Sequence, residues 1–213
     1  MAADPVLKAC WLTKHRQSRA VDLAARKGGA DVMIHLLRMG SVFATERALY
    51  YSSQGFTFST PIEIAALEDL PEVVTYLLSI GDVRANVAGA TSALLCSATL
   101  NHVGCLQALL APNSPVNVNS LNQSSQSPLH SAAMSANLEA VQLLWSRGAV
   151  CTVRNSIGST PLHYVCFNSD EDAVQAQMLG TFLEYGFSGG DSVINAQDSD
   201  GRTPALGSDL EYI

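Results

Sequence analysis

Charge is scarce in this chain. Only 15% of its 213 residues are Asp, Glu, Lys or Arg, and 7% are aromatic. Hydrophobic residues make up 47%, which excludes the disordered class, where low hydropathy and high net charge go together. No apolar run reaches the roughly 18 residues that a membrane span needs, so insertion into a bilayer is not expected. Cysteine is limited to five, an odd number at irregular spacing with no Cys-x-x-Cys. That excludes a disulfide framework and points to reduced thiols inside the cell, cytoplasmic or nuclear. Lys8, Lys14, His15, Arg16 and Arg19 have no apolar run between them, so a secretory signal is not expected.

Catalytic patterns are missing as well. Its one Gly-x-Ser-x-Gly, Gly186 to Gly190, has no strand-to-helix context around it, so it does not read as a nucleophile turn. Gly186-Phe187-Ser188-Gly189-Gly190 lacks the following Lys and the strand-to-helix setting of a phosphate-binding loop. Cys96, Cys105, Cys151 and Cys166 lack zinc-ligand spacing. Asp170-Glu171-Asp172 reads as a solvated turn with a helix cap. His15, His35 and His102 stand alone. We expect no catalytic residue, no metal site and no cofactor, and therefore no enzyme.

The few charges are unevenly placed. Residues 1–50 hold eight Lys or Arg against four acids, whereas the rest holds four against fifteen. An acidic body does not provide the broad basic face that nucleic acid requires, so nucleic-acid binding is not expected. The basic end is expected to favour a different, acidic partner.

What the chain has is repetition. Thr160-Pro161-Leu162-His163 recurs as Ser127-Pro128-Leu129-His130 and, more loosely, as Thr60-Pro61-Ile62-Glu63. Asp198-Ser199-Asp200-Gly201-Arg202-Thr203-Pro204 opens another copy. Small residues follow each motif, and Ala25, Ala66, Ala98, Ala133 and Cys166 are separated by 41, 32, 35 and 33 residues. Thr or Ser can cap a helix with its hydroxyl, and Pro suits the first helical position, where no N–H is needed. The small pair lets a second helix approach closely. That helix is marked by apolar spacing at Leu138, Val141, Leu144 and Trp145. Gly40, Gly81, Gly148 and Gly186 then act as stops, with Asn113 in the matching place of the weak third copy. Each unit reads as helix, turn, antiparallel helix and hairpin-like finger, with pairs near 20–40, 61–81, 93–112, 128–147 and 161–185 and an extra helix near 5–16. Because His130 and His163 share one motif position, they are expected to make a structural hydrogen bond between repeats.

A period of about 33 residues with Thr-Pro-Leu-His is the signature of ankyrin repeats. The chain resembles that family over nearly its whole length. The resemblance implies an all-α solenoid of stacked antiparallel helix pairs with hairpin-like fingers. It implies one domain over 1–213, with repeats near 18–40, 55–81, 87–113, 122–148 and 155–186 and a partial repeat at 198–213. Insertions at 41–59, 111–127, 168–172 and 187–190 are expected to be loops. The last repeat stops without a second helix, so 203–213 are expected to be poorly ordered, in a truncated array or one capped by self-association.

By the same resemblance the chain is a noncatalytic module that binds other proteins on a concave face. That face is formed by the exposed end of each first helix and by the finger tips. Carried over, the helix positions are Arg26-Lys27, Leu67-Glu68, Thr99-Leu100, Met134-Ser135 and Phe167-Asn168. The tips are Gln123, Ser124, Gln126, Ser156, Ile157, Ser159, Ser199, Asp200 and Arg202. The partner-binding set is then Arg26, Lys27, Leu67, Glu68, Leu100, Met134, Ile157 and Phe167. Its apolar members form either a binding stripe or, if insertion loops fold over them, ordinary core. The alternative is a fragment of an adaptor or targeting subunit, for example of a ubiquitin ligase, lacking its effector segment.

Overall fold

The computed structural model describes residues 20–39, 48–52, 55–80, 87–167, 173–186 and 193–204. The expected helix near 5–16, the insertions at 168–172 and 187–190, and residues 205–213 lie outside these. A π-helical turn at Ala24–Gly28 leads into α1 (Gly29–Arg38). An antiparallel hairpin follows, β1 (Ala48–Ser52) on β2 (Gly55–Ser59), pairing Ala48 with Ser59 and Ser52 with Gly55. Seven more helices follow: α2 (Pro61–Leu67), α3 (Pro71–Ser79), α4 (Val87–Leu100), α5 (Val103–Leu109), α6 (Pro128–Met134), α7 (Leu138–Ser146) and α8 (Pro161–Phe167). The last is α9 (Ala173–Gly186).

These helices form two rows. The first helices of the repeats stack in order, α2 on α4, α4 on α6 and α6 on α8. The second helices stack behind them, α1 on α3, α3 on α5, α5 on α7 and α7 on α9. Small side chains let the rows meet. Ala65, Ala66, Ala98, Ala132, Ala133 and Cys166 are all buried at the junction. From the second row Val73, Leu77, Leu106, Leu109, Val141, Leu144, Met178 and Phe182 fill the interior, and Trp145 meets Phe182 edge-on at 4.3 Å. Each large apolar side chain buried this way stabilises the stack by about 1.5–3 kcal/mol. Close approach also explains Gly104 in α5, where a Cβ would lie 3.3 Å from Pro71 Cγ of the preceding repeat.

The helix starts are set by side chains. Thr60 N–H and hydroxyl both donate to Glu63 Oε2, at 2.6 and 2.9 Å, closing a capping box on α2. In α6 and α8 a histidine takes the place of Glu63. Ser127 N–H donates to His130 Nδ1 at 3.1 Å, and Thr160 N–H to His163 Nδ1 at 3.0 Å.

The helix stops differ from one repeat to the next. Gly148 has φ 84° and Ala149 N–H returns to Leu144 C=O at 3.0 Å, a left-handed C-terminal cap. The third repeat corrects the expectation for Asn113. Here α5 ends at Leu109, Ala111 N–H turns back to Ala108 C=O, and Asn113 does not adopt the left-handed conformation. The polar Pro/Asn/Ser loop after Leu110 continues the chain without a Schellman-type stop.

Between helices of one repeat the turn is left-handed as well. Asp69, Asn101 and Ala136 have φ of 51°, 57° and 53°. The residue after two of these turns ties one repeat to its neighbour. His102 Nδ1–H donates to Ala66 C=O at 2.8 Å. Asn137 Nδ2 donates to Ala98 and Thr99 C=O at 2.9 and 2.7 Å. Unpaired carbonyls at the ends of α2 and α4 are satisfied from the next repeat.

Candidate functional site

The fingers are built by three copies of one loop. Asn155 Oδ1 accepts from Ile157 N–H and Ser159 N–H at 3.1 and 3.0 Å. Asn155 N–H donates to Ser159 C=O, and Gly158 N–H closes the turn on Asn155 C=O. Asn122 does the same with Ser124 and Gln126, both at 2.9 Å. Asp198 does it with Asp200 and Arg202, both at 2.9 Å. Each loop needs a left-handed residue at its fourth position, supplied by Ser125, Gly158 and Gly201 with φ of 56°, 74° and 76°. Adjacent fingers are then hydrogen-bonded together. Ser156 N–H donates to Ser124 C=O and Ser199 N–H to Ile157 C=O, both at 2.9 Å.

The two motif histidines join this ribbon to the helices. His130 Nε2 lies 3.0 Å from Ser159 C=O and His163 Nε2 lies 3.1 Å from Arg202 C=O. Each Nδ1 accepts from a backbone N–H, so the ring proton sits on Nε2 and is donated to the next finger. Burial pushes both imidazoles below their ordinary pKa, against the backbone hydrogen bond that favours the cation. Both are neutral structural groups at neutral pH. Burial would raise the Asp198 carboxyl, but hydrogen bonds from Arg202 and from Asp200 N–H outweigh it and hold the group below the usual carboxylate range.

The C-terminal side of the inner row carries large apolar side chains. α2, α4, α6 and α8 end on Leu67, Leu100, Met134 and Phe167, which are 33, 34 and 33 residues apart. Leu100, Met134 and Phe167 are 46%, 42% and 37% exposed, and Ile157 on the finger is 50% exposed. Leu67 is half-buried and packs on the core. Arg202 lies over the Phe167 ring at 5.2 Å while its guanidinium pairs with Asp198 at 2.9 Å and Asp200 at 2.7 Å.

Among the described residues no group of three His, Cys, Asp or Glu could hold a metal ion. Cys96, Cys105, Cys151 and Cys166 are free thiols. Burial raises all four, Cys105 to about 12 and Cys166 to about 11, which removes the thiolate that reactivity requires. No described helix is long and apolar enough to cross a membrane.

The family model for ankyrin repeats in three copies matches residues 62–155 and 94–181, more than half of the chain. The protein belongs to the ankyrin repeat family. Its fold is that of EF0377, an ankyrin repeat protein of known crystal structure, with a TM-score of 0.69 at 19% identity over 90% of this chain and 91% of that one. A stretch of 82 residues, 38% of the chain, is 37% identical to the transient receptor potential cation channel subfamily A member 1 homolog of Caenorhabditis elegans. The match covers only 7% of the length of that relative. Ankyrin repeats are protein–protein interaction modules, and the array is one in this chain.

Where the ankyrin array places the expected site residues is uneven. Arg26 and Lys27 are exposed on the π-helical turn, with Arg26 3.9 Å from Asp22. Glu68 is half-buried just beyond α2. Gln123, Ser124, Ser156, Ser199 and Asp200 are exposed. Ser159 corrects the expectation for a tip: it is buried, its N–H bound by Asn155 and its C=O by His130. Gln126 is half-buried and donates to Tyr164 Oη at 3.4 Å. Six exposed apolar residues escaped sequence reading: Leu23, Val32 and Met39 in the first repeat, and Leu121, Val150 and Val174 further on. Leu121 and Val150 lie in loops where no periodicity marks a face. Asn168 lies outside the described residues.

Proposed function

We propose that this ankyrin array binds a protein partner along the concave face made by the ends of the inner helices and the finger tips. Leu67, Glu68, Leu100, Met134, Ile157 and Phe167 form its centre, and Arg26 and Lys27 form a basic end that prefers acidic segments. The observation that carries this reading is the exposure of Leu100, Met134 and Phe167, large apolar residues at one position of three successive repeats. The core of a single chain gains nothing from an apolar side chain left in water, whereas an interface takes most of its energy from a few such anchors. The role is binding without catalysis, without cofactor and without nucleic acid, in the cytoplasm or nucleus, as the free thiols support.

A second reading is an adaptor or targeting subunit, for example of a ubiquitin ligase, in which the array recruits and another segment acts. It is favoured by the sequence match to a much longer chain, in which the matched stretch is a small part.

The test is affinity capture with the wild-type chain and with a Leu100→Ser, Met134→Ser, Phe167→Ser variant, identified by mass spectrometry. Partners held by this face disappear from the variant while its melting curve stays cooperative. Partners retained by a folded variant would place binding elsewhere.

A further inference from the structure

From Ala85 to Leu138 the chain contains no Asp, Glu, Lys or Arg. This stretch supplies all of α4, α5 and α6, the finger at Asn122 and the turns between them. The rest of the chain carries every one of the charges behind its net of −7. The central repeats therefore form an uncharged segment of an otherwise charged solenoid.

Its exposed residues are apolar or carry neutral amide or hydroxyl groups. Leu100 and Met134 end two successive inner helices and are 46% and 42% exposed, and Asn122, Gln123 and Ser124 form the exposed tip of the finger. The two histidines in the stretch are occupied: His102 bonds Ala66 C=O, and His130 is buried between Ser127 and Ser159. The charges nearest in sequence are Asp82 and Arg84 before the stretch and Glu139 and Arg147 after it, with Glu68 and Asp69 at the end of α2. Asp69 is engaged by the Cys105 thiol at 3.6 Å, and Arg147 donates to Leu110 C=O.

A charged group laid on such a surface loses water and gains no opposite charge, which is costly. A neutral side chain loses little, and Asn, Gln and Ser can satisfy its backbone. The same surface gives no long-range steering, so association there is governed by apolar fit and not by ionic attraction. We infer that the segment docking on Leu100 and Met134 is an uncharged polypeptide stretch with apolar anchors, lacking Asp, Glu, Lys and Arg where it crosses the central repeats. This rests on the binding face proposed above and specifies its occupant. It also divides the array, since the basic residues Arg26 and Lys27 at the first repeat serve a different part of the partner.

The probe is a random-peptide library displayed on phage and selected against the full chain, with bound peptides mapped by hydrogen exchange. Selected peptides that protect the ends of α4 and α6 are expected to be depleted of charged residues and to bind with little dependence on salt. Met134→Lys and Met134→Glu should each weaken them by about tenfold or more, and so should Leu100→Lys and Leu100→Glu. Gln107→Lys, on exposed α5 in the same uncharged stretch, should leave both binding and melting temperature unchanged. Peptides that dock at Leu100 and Met134 but carry charge there, or variants of opposite sign with opposite effects, would overturn the inference and leave the binding face standing. Sedimentation showing a dimer broken by the same variants would also overturn it, since a second copy would then be the occupant. Peptides that never protect these helix ends would overturn both the inference and the face.

Discussion

The imidazole of His130 donates across a repeat boundary to the carbonyl of Ser159, 3.0 Å away. One side chain thus caps its own helix through Nδ1 and fixes the next finger through Nε2. Protonation breaks the first of these bonds and keeps the second, because a protonated Nδ1 cannot accept from Ser127 N–H while Nε2–H still donates. His163 repeats the arrangement with Thr160 and Arg202.

Stability should therefore fall on mild acidification. Burial holds both histidines below their ordinary pKa of 6.5 in the folded chain. The unfolded chain then binds more protons in that interval, so their contribution is complete above about 6.5 and is lost as pH falls through the lower folded values. Melting temperature measured from pH 7.5 downward should begin to drop below about pH 6.5, and His130→Ala should flatten part of the decline. An unchanged slope in that variant would show that other groups carry it. At neutral pH the same variant should cost about 2–4 kcal/mol, from two buried backbone groups left unpaired.

The left-handed turns offer a stabilising substitution. Asp69, Asn101 and Ala136 occupy one repeat position at φ near 50–57°. Asn and Asp tolerate that conformation, whereas alanine has no local hydrogen bond to offset the clash of its Cβ. Ala136→Gly, or Ala136→Asn, should raise stability by about 0.5–1 kcal/mol in a denaturant titration. A loss of stability would mean that the turn relaxes in solution.

How far the sequence foretold this array depends on what kind of signal each part carries. Thr-Pro-Leu-His, the small pairs and Gly148 were legible because each is a local solution to a backbone demand, a cap, a close approach or a left-handed stop. The bridging role of His130 and His163 was legible from their recurrence. The hairpin at 48–59 corrects the loop expected for the insertion at 41–59, whose aromatic residues did not by themselves set a strand register. Helix α4 begins at Val87, before the expected 93, because no Thr-Pro motif marks the start of this repeat in the sequence. Ser159 looked like a tip residue because serines are common there, but its burial follows from a hydrogen bond that crosses repeats. Exposure of Leu100 and Met134 was an open alternative in the sequence and became definite only once the loop at 111–127 had a position.

Phe167 should matter to stability as well as to binding. Arg202 stacks on its ring at 5.2 Å, and such a contact at an exposed site contributes about 0.5–1 kcal/mol. Phe167→Ala and Arg202→Ala should show a coupling energy of that size in a double-mutant cycle. Additive effects would mean that the guanidinium is held by Asp198 and Asp200 alone.

The basic first repeat should respond to salt while the central repeats do not. Lys27 is exposed, and Arg26 faces Asp22 at 3.9 Å in an accessible setting where pairing contributes little. Binding of an acidic peptide should weaken steadily between low salt and 0.5 M, and Arg26→Glu with Lys27→Glu should abolish it. Salt-independent binding, or no effect of the double variant, would remove the acidic-partner reading of this end.

The third finger can be used to separate the turn from its ion pair. Asn122, Asn155 and Asp198 accept the same pair of backbone N–H groups, so asparagine is already shown to build this loop twice. Asp198→Asn should keep the loop and lose the Arg202 interaction, whose guanidinium is half exposed. The expected cost is small, because an ion pair open to water contributes little. Asp198→Ala removes the acceptor itself and leaves two N–H groups without it, so it should cost about 1–3 kcal/mol and expose 193–204 to rapid hydrogen exchange. Asp198→Asn should also abolish that carboxylate's share of the acid sensitivity. Its folded pKa lies below the ordinary value, so the wild-type share is present above about pH 4 and disappears as pH falls. Equal losses in the two variants would show that charge, not hydrogen-bond geometry, holds the last finger to the stack.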